Sequence, residues 1–288
     1  MRKYKGPMKI ILFCIAVLAS MISVDVKADT LIGTPITHLP FSISKPGKYR
    51  LAKDLVMTKT SGNAISVTTD NVVIDFNGYT LTATGSANVS SSIGVNINSS
   101  HVKVSNGTII GFGVAVGATL SNGANPNSIT VEDMNCDSQL GFAALDIECV
   151  DAVLVRCHVT NSSGATSTPI GINSNFSGVI EDCTVTGLQS VNSTVTGFAI
   201  NNFGGQEMFT QVLRHCVVSD LSATGGSVTT YGVIGAAENT VIDSCSFFNL
   251  NNAIQPAGGG TVIVKNSTFR ACGASFGGTD GGSNTIAP

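Results

Sequence analysis

One short phrase recurs along most of the chain, and its recurrence restricts the fold more than any other feature. It reads Val179-Ile180-Glu181-Asp182-Cys183-Thr184-Val185. Copies follow at Val104-Ser105-Asn106-Gly107-Thr108-Ile109, Val131-Glu132-Asp133-Met134-Asn135-Cys136, Leu154-Val155-Arg156-Cys157-His158-Val159, Leu213-Arg214-His215-Cys216-Val217-Val218, Ile242-Asp243-Ser244-Cys245-Ser246-Phe247 and Val264-Lys265-Asn266-Ser267-Thr268-Phe269. An earlier copy, one residue longer, occupies 74–81. Anchored on Cys183, the copies fall at 78, 107, 134, 157, 183, 216, 245 and 267, a mean spacing of 27 residues. A period of this size marks stacked structural repeats, each burying its apolar side against its neighbours.

The phrase cannot be one straight strand. Side chains alternate across a strand, so Ile180, Cys183 and Val185 share a side only if the backbone bends between the first and the second. The bend residue is Asn106, Asp133, Asp182 or Asn266 in four copies, and Asn and Asp tolerate left-handed backbone best. Arg156, His215 and Ser244 suit it less well, so their corners are expected to differ. Each repeat also carries a short apolar strand led by a small residue, as in Ala64-Ile65-Ser66-Val67, Gly94-Val95-Asn96-Ile97, Ala144-Leu145-Asp146-Ile147 and Gly171-Ile172-Asn173. Three strands per repeat, stacked at ~4.8 Å, make three parallel sheets around an apolar interior. The fold class is therefore all-β, a parallel β-helix solenoid of about eight coils, one per copy of the phrase.

The chain as a whole divides into four parts. Residues 1–28 carry Arg2, Lys3, Lys5 and Lys9 ahead of a fifteen-residue apolar run, Ile10 to Val24, followed by Val26-Lys27-Ala28, which reads as a secretory signal peptide. The run is shorter than the roughly 20 residues a membrane span needs, so no anchor is expected after cleavage. Residues 29–61 contain turn chemistry at Lys45-Pro46-Gly47-Lys48 and are expected to form an N-terminal β cap over the first coil. The β-helix is expected over 62–272, with a Gly-rich C-terminal tail at 273–288 outside it.

Without the leader, the chain keeps 10 Lys and Arg against 17 Asp and Glu, a net charge of −7. That balance argues against nucleic acid or an anionic membrane as partner and favours a neutral one. The expected location is secreted, periplasmic or at the cell surface, and the expected state is a monomer.

Three segments carry a resemblance to a known family: Pro46-Gly47-Lys48-Tyr49-Arg50-Leu51, the run from Asn71 to Leu81, and Val104-Ser105-Asn106-Gly107-Thr108-Ile109. Together with the repeats, over 36–272, they resemble the right-handed parallel β-helix proteins of the pectin-lyase-like superfamily. The resemblance implies a right-handed coil and a sugar-binding groove along the first strand of each coil. Galacturonan hydrolases of that fold use Asn-Thr-Asp, Asp-Asp, Gly-His-Gly and Arg-Ile-Lys, and none of these occurs in this chain. The Asp-Pro-His of alginate epimerases is absent as well.

The outward residues of the first strands are, coil by coil, Ser66, Asn96 with Asn98, Ala115, Asp146 with Glu148, Asn173 with Asn175, Ala199 with Asn201, Ile234 and Gln255. Asn96, Asn98, Asn173, Asn175 and Asn201 can donate and accept toward sugar hydroxyls. Asp146 and Glu148 are the acids of this row and the candidate catalytic pair, two residues apart on one face, a separation of ~7 Å that suits inverting glycoside hydrolysis. No cofactor is called for, and calcium enters only as an ion that could bridge these acids to an acidic sugar.

Two other rows are legible. Cys157, Cys183, Cys216 and Cys245 hold one position in four copies and read as an interior column of small apolar side chains, where replacing Cys183 by Ser is expected to bury a hydroxyl with few partners. Glu132, Val155, Glu181, Arg214, Asp243 and Lys265 face outward before each corner, and the alternating signs of the last four read as an ion-pair ladder. Gly273-Ala274-Ser275-Phe276-Gly277 matches the nucleophile-elbow spelling but stands in a Gly-rich stretch with no helix to follow. Three function classes stay open: a polysaccharide-binding protein without catalysis, a polysaccharide lyase, hydrolase or epimerase using Asp146 and Glu148, and a surface adhesin or structural protein.

Overall fold

The computed structural model describes residues 33–58, 61–84, 91–119, 126–137, 139–163, 168–191, 193–200, 210–225, 228–235, 239–256 and 261–287. The segment at 1–28 expected to be a leader lies outside them. Every element among the described residues is a strand, and 27 strands join in one continuous sheet with parallel pairings. The arrangement is consistent with a β-solenoid.

The pairings sort into three ladders that the chain visits in turn. The first runs through Phe41–Ile43, Gly62–Val67, Ser92–Ile97 and Val114–Ala118, and ends at Ala274–Phe276. The second runs through Gly47–Leu51, Val72–Asp75 and Thr210–Arg214 to Thr279–Asp280. The third runs through Leu55–Met57, Thr80–Ala83 and Thr184–Thr186 to Thr285–Ala287. Some strands serve two ladders: Val102–Ile110 and Ile129–Asp137 cross from second to third, and Ala143–Val155 and Ile170–Glu181 cross from first to second. The latter pair does so with a register shift between Glu148 and Asp151.

The core is one cluster filled by alternate residues of every strand, as period-two patterning dictates. In the second ladder Ile74, Val104, Val131, Leu154, Ile180, Leu213, Ile242 and Val264 form a single in-register row, none of them exposed. Two polar groups of the interior are satisfied internally: Gln139 Nε2 donates to Ile109 O at 2.8 Å and Asp137 O at 2.9 Å, and Ser174 Oγ donates to Gln211 Oε1 at 3.1 Å. The small residue that opens each first-ladder strand has a packing reason. A Cβ at Gly171 would stand 2.7 Å from Gly197 O, and one at Gly232 would stand 2.4 Å from Ala253 O, so successive backbones approach too closely there for larger side chains.

Two sequence expectations are corrected. The corners at Arg156, His215 and Ser244 do not differ from the Asn and Asp corners: φ is 51°, 54° and 55° there, against 63°, 53°, 54° and 52° at Asn106, Asp133, Asp182 and Asn266. The stacked bonds fix the backbone, as in Asp182 N to Arg214 O at 3.1 Å and His215 N to Asp243 O at 3.1 Å, and the side chain accepts the conformation. The Gly-rich tail does not stand outside the sheets. Its three strands continue all three ladders, and Asn284 stitches the turn by donating to Val264 O at 2.9 Å and Asp280 Oδ1 at 2.7 Å. Glycine is compatible with a terminal rung because backbone pairing carries it. The elbow spelling at 273–277 accordingly lies on a strand. The segment expected as a cap supplies the first strands of all three ladders, Thr34–Ile36 preceding Gly47–Leu51 in the second.

Candidate functional site

The outer face of the first ladder is the candidate site, because it is where the sequence places its acids and amides in one row. The register fixes that row as Ser42, Ser66, Asn96, Gly117, Asp146, Asn173, Ala199, Ile234 and Gln255. Gly117 replaces the expected Ala115. Val116 pairs with Val95, which moves the strand by two residues relative to the sequence alignment and turns Ala115 into the fully buried small residue beside Gly94.

Asp146 stands level with Asn173, and Glu148 with Asn175, so two carboxyl–amide rungs lie side by side. Asn173 Nδ2 donates to Asp146 Oδ1 at 2.8 Å. Burial pushes the Asp146 carboxyl above its ordinary value, and the Asn173 bond opposes that rise. Glu148 is raised too, first by burial and then by the negative charge of Asp146. Beyond Glu148 the strand shifts register, and Cys149, buried, turns its thiol to Asp151 O at 3.2 Å. Its own burial pushes the Cys149 thiol up to about 12. Burial thus makes both carboxyls easier to protonate than free ones, and an amide holds one of them in place.

The row is not uniformly open. Asn96, Asn98, Asp146, Glu148 and Asn175 are half-buried, whereas Asn173 is 3% exposed and its amide is engaged with Asp146. Asn173 therefore positions Asp146, and does not present a free amide to a ligand as the sequence suggested. Asn201 lies outside the described residues.

Sequence reasoning named Ala199 and Ile234 on this face but missed Ala143 and Ile170, and with them an apolar set. Ala143, Ile170 and Ala199 are buried there as a cluster separate from the main core, with Ile234 against them. The signal was present: the residue just before each small leader faces outward, which places Ala143 before Ala144 and Ile170 before Gly171. The face thus combines an apolar strip with adjacent carboxyls.

Among the described residues, one group offers three metal-ligating side chains within 4.8 Å of one another: Glu181, Asp182 and His215, at a corner remote in register from Asp146. His215 Nδ1 is 3.4 Å from Asp182 Oδ1, and Arg214 already holds Glu181 at 2.7 Å, so a cation there would meet a guanidinium. Asp146 and Glu148 gather no third acid among the described residues. A cavity of about 490 Å³ lies elsewhere, between Leu221, Ala223, Leu250 and Asn251, and no charged residue lines it. Comparison with protein-family models, with curated proteins and with solved structures finds no match.

Proposed function

We propose that the protein is a secreted right-handed parallel β-helix of the pectin-lyase-like kind that binds an extracellular polysaccharide along the outer face of its first ladder. The observation that carries the reading is a set of half-buried polar side chains on one face: Asn96 in register with Asp146 across Gly117, and Glu148 in register with Asn175. Rungs recur every ~4.8 Å, close to the length of one sugar unit, so successive rungs meet successive residues of a chain. Ile234, half-buried beside them, offers apolar contact to a sugar ring. A net charge of −7 without the leader favours a neutral or weakly charged glycan, since a polyuronate would need calcium to bridge it to the acids.

The raised carboxyls of Asp146 and Glu148 favour one second reading, acid–base cleavage of the bound glycan by that pair. A glycan array with purified protein tests binding, and an assay for new reducing ends and unsaturated products tests cleavage. The expected result is binding that survives Asp146→Asn with Glu148→Gln, without product formation by the wild type. Product formed by the wild type and lost in the double variant establishes the second reading instead. Binding unchanged by every substitution along the face removes the face from consideration.

A further inference from the structure

The outer face of the second ladder carries a pattern that the glycan reading does not use. Val153, Val179, Val212, Val241 and Ile263 stand in register on five successive rungs. They alternate with the buried row of Leu154, Ile180, Leu213, Ile242 and Val264, so they point outward. Val153 and Ile263 keep 41% and 36% of their surface exposed, and the three between are half-buried. A continuous apolar ridge on a regular parallel sheet is a liability in an isolated molecule.

Two residues further along the strands runs the row Glu181, Arg214, Asp243, Lys265, in which Arg214 meets Glu181 at 2.7 Å and Lys265 meets Asp243 at 3.1 Å. Read backwards, this row has every sign inverted. A two-fold axis parallel to the strands, midway between the rungs of Val212 and Val241, therefore sets Glu181 against the partner's Lys265 and Arg214 against the partner's Asp243. The same operation seats Val212 on the partner's Val241 and Val179 on the partner's Ile263. A two-fold along the stack would instead set Glu181 against the partner's Ser177 and Asp243 against the partner's Asn239, losing the pairing.

We propose that this face joins two copies of the chain into an antiparallel, isologous homodimer, in place of the monomer expected from sequence. Overlap spans the six rungs from Val153 to Thr279. At ~4.8 Å per rung and ~3.3 Å per strand residue this is about 400 Å² per copy. Stable interfaces bury about 800 Å² per partner, so the dimer is weak and concentration-dependent.

Sedimentation velocity from low to high micromolar concentration should show a monomer–dimer equilibrium, with Val212→Lys raising the dissociation constant about tenfold or more and leaving the melting temperature unchanged. Geometry is read by cross-linking in a Cys272→Ser background, since Cys272 is the described thiol that is not buried. Val179→Cys mixed with Ile263→Cys should form a covalent pair with a short thiol reagent, because these positions face each other across sheets ~10 Å apart. Val179→Cys alone should not, its two copies being offset by three rungs. A monomer at every concentration overturns the proposal, and so does efficient cross-linking of Val179→Cys with itself.

Discussion

The corner between the second and third ladders and the outer face of the first ladder are built from the same repeat, yet they are determined in different ways. At the corner the backbone decides. Seven residues of five types adopt φ between 51° and 63°, and the position that follows each corner is Gly107, Met134, Cys157, Cys183, Cys216, Cys245 or Ser267, buried wherever it bears a side chain. Each left-handed non-glycine residue costs about 1–2 kcal/mol, and stacked bonds such as Arg156 N to Glu181 O at 3.0 Å offset that cost. On the first-ladder face the backbone specifies direction but not identity, and the row changes from Ser through Asn, Gly, Asp and Ala to Ile and Gln. Repetition is strict where stacking selects a conformation, and the chain is free to specialise where it does not.

That contrast breaks most visibly if the corner column tolerates truncation. Met134→Ala removes a fully buried side chain from the column and should lower stability by about 2–5 kcal/mol in denaturant unfolding. A loss near zero would mean that the stack collapses around the gap and that its packing is not selected.

The first-ladder face is sharpened by Asn173→Ala, which should lower stability by about 1–3 kcal/mol through loss of the bond to Asp146. It should also change the pH profile. The Asp146 carboxyl already sits above its ordinary 3.8 in the folded protein, burial being the cause and Asn173 the restraint. A raised folded value means that the folded state binds the proton more tightly, so stability falls as pH rises from 3.8 through the folded value. Without Asn173 the fall should extend to higher pH, and Asp146→Asn should reduce it to the part that the half-buried Glu148 contributes. Stability measured between pH 3 and 8 for the three proteins checks the sign.

The smallest effect separates two views of the cysteine column. From sequence alone, Cys183→Ser buries a hydroxyl with few partners. The structure supplies them: Cys183 Sγ lies 3.3 Å from Glu181 O and 3.7 Å from Leu154 O, and Ser267, in the same column, already donates to Lys265 O at 2.9 Å. Cys183→Ser should therefore cost about 1 kcal/mol or less, whereas a loss as large as that of Met134→Ala would show that the column requires sulfur.

The sequence made the corner legible because its apolar spacing breaks period two at a fixed place, and it made the charged row legible because one residue per rung alternates in sign. It did not reveal that Arg156 and His215 turn as Asn106 does, since a side-chain preference says little once stacked bonds fix the backbone. Ala115 was placed outward because Gly113 and Ala115 are both small, and only pairing with Gly94 and Val95 chooses between them. Asn173 was read as open because alternation reports direction and not what lies beyond the face.

Carbodiimide labelling of carboxyl groups, read by mass spectrometry with and without a polysaccharide found to bind, compares the two regions in one experiment. Asp146 and Glu148 should lose labelling on binding, while Glu181 and Asp243 keep theirs. Unchanged labelling at Asp146 and Glu148 under saturating glycan would contradict the proposal that the first-ladder face is the binding site.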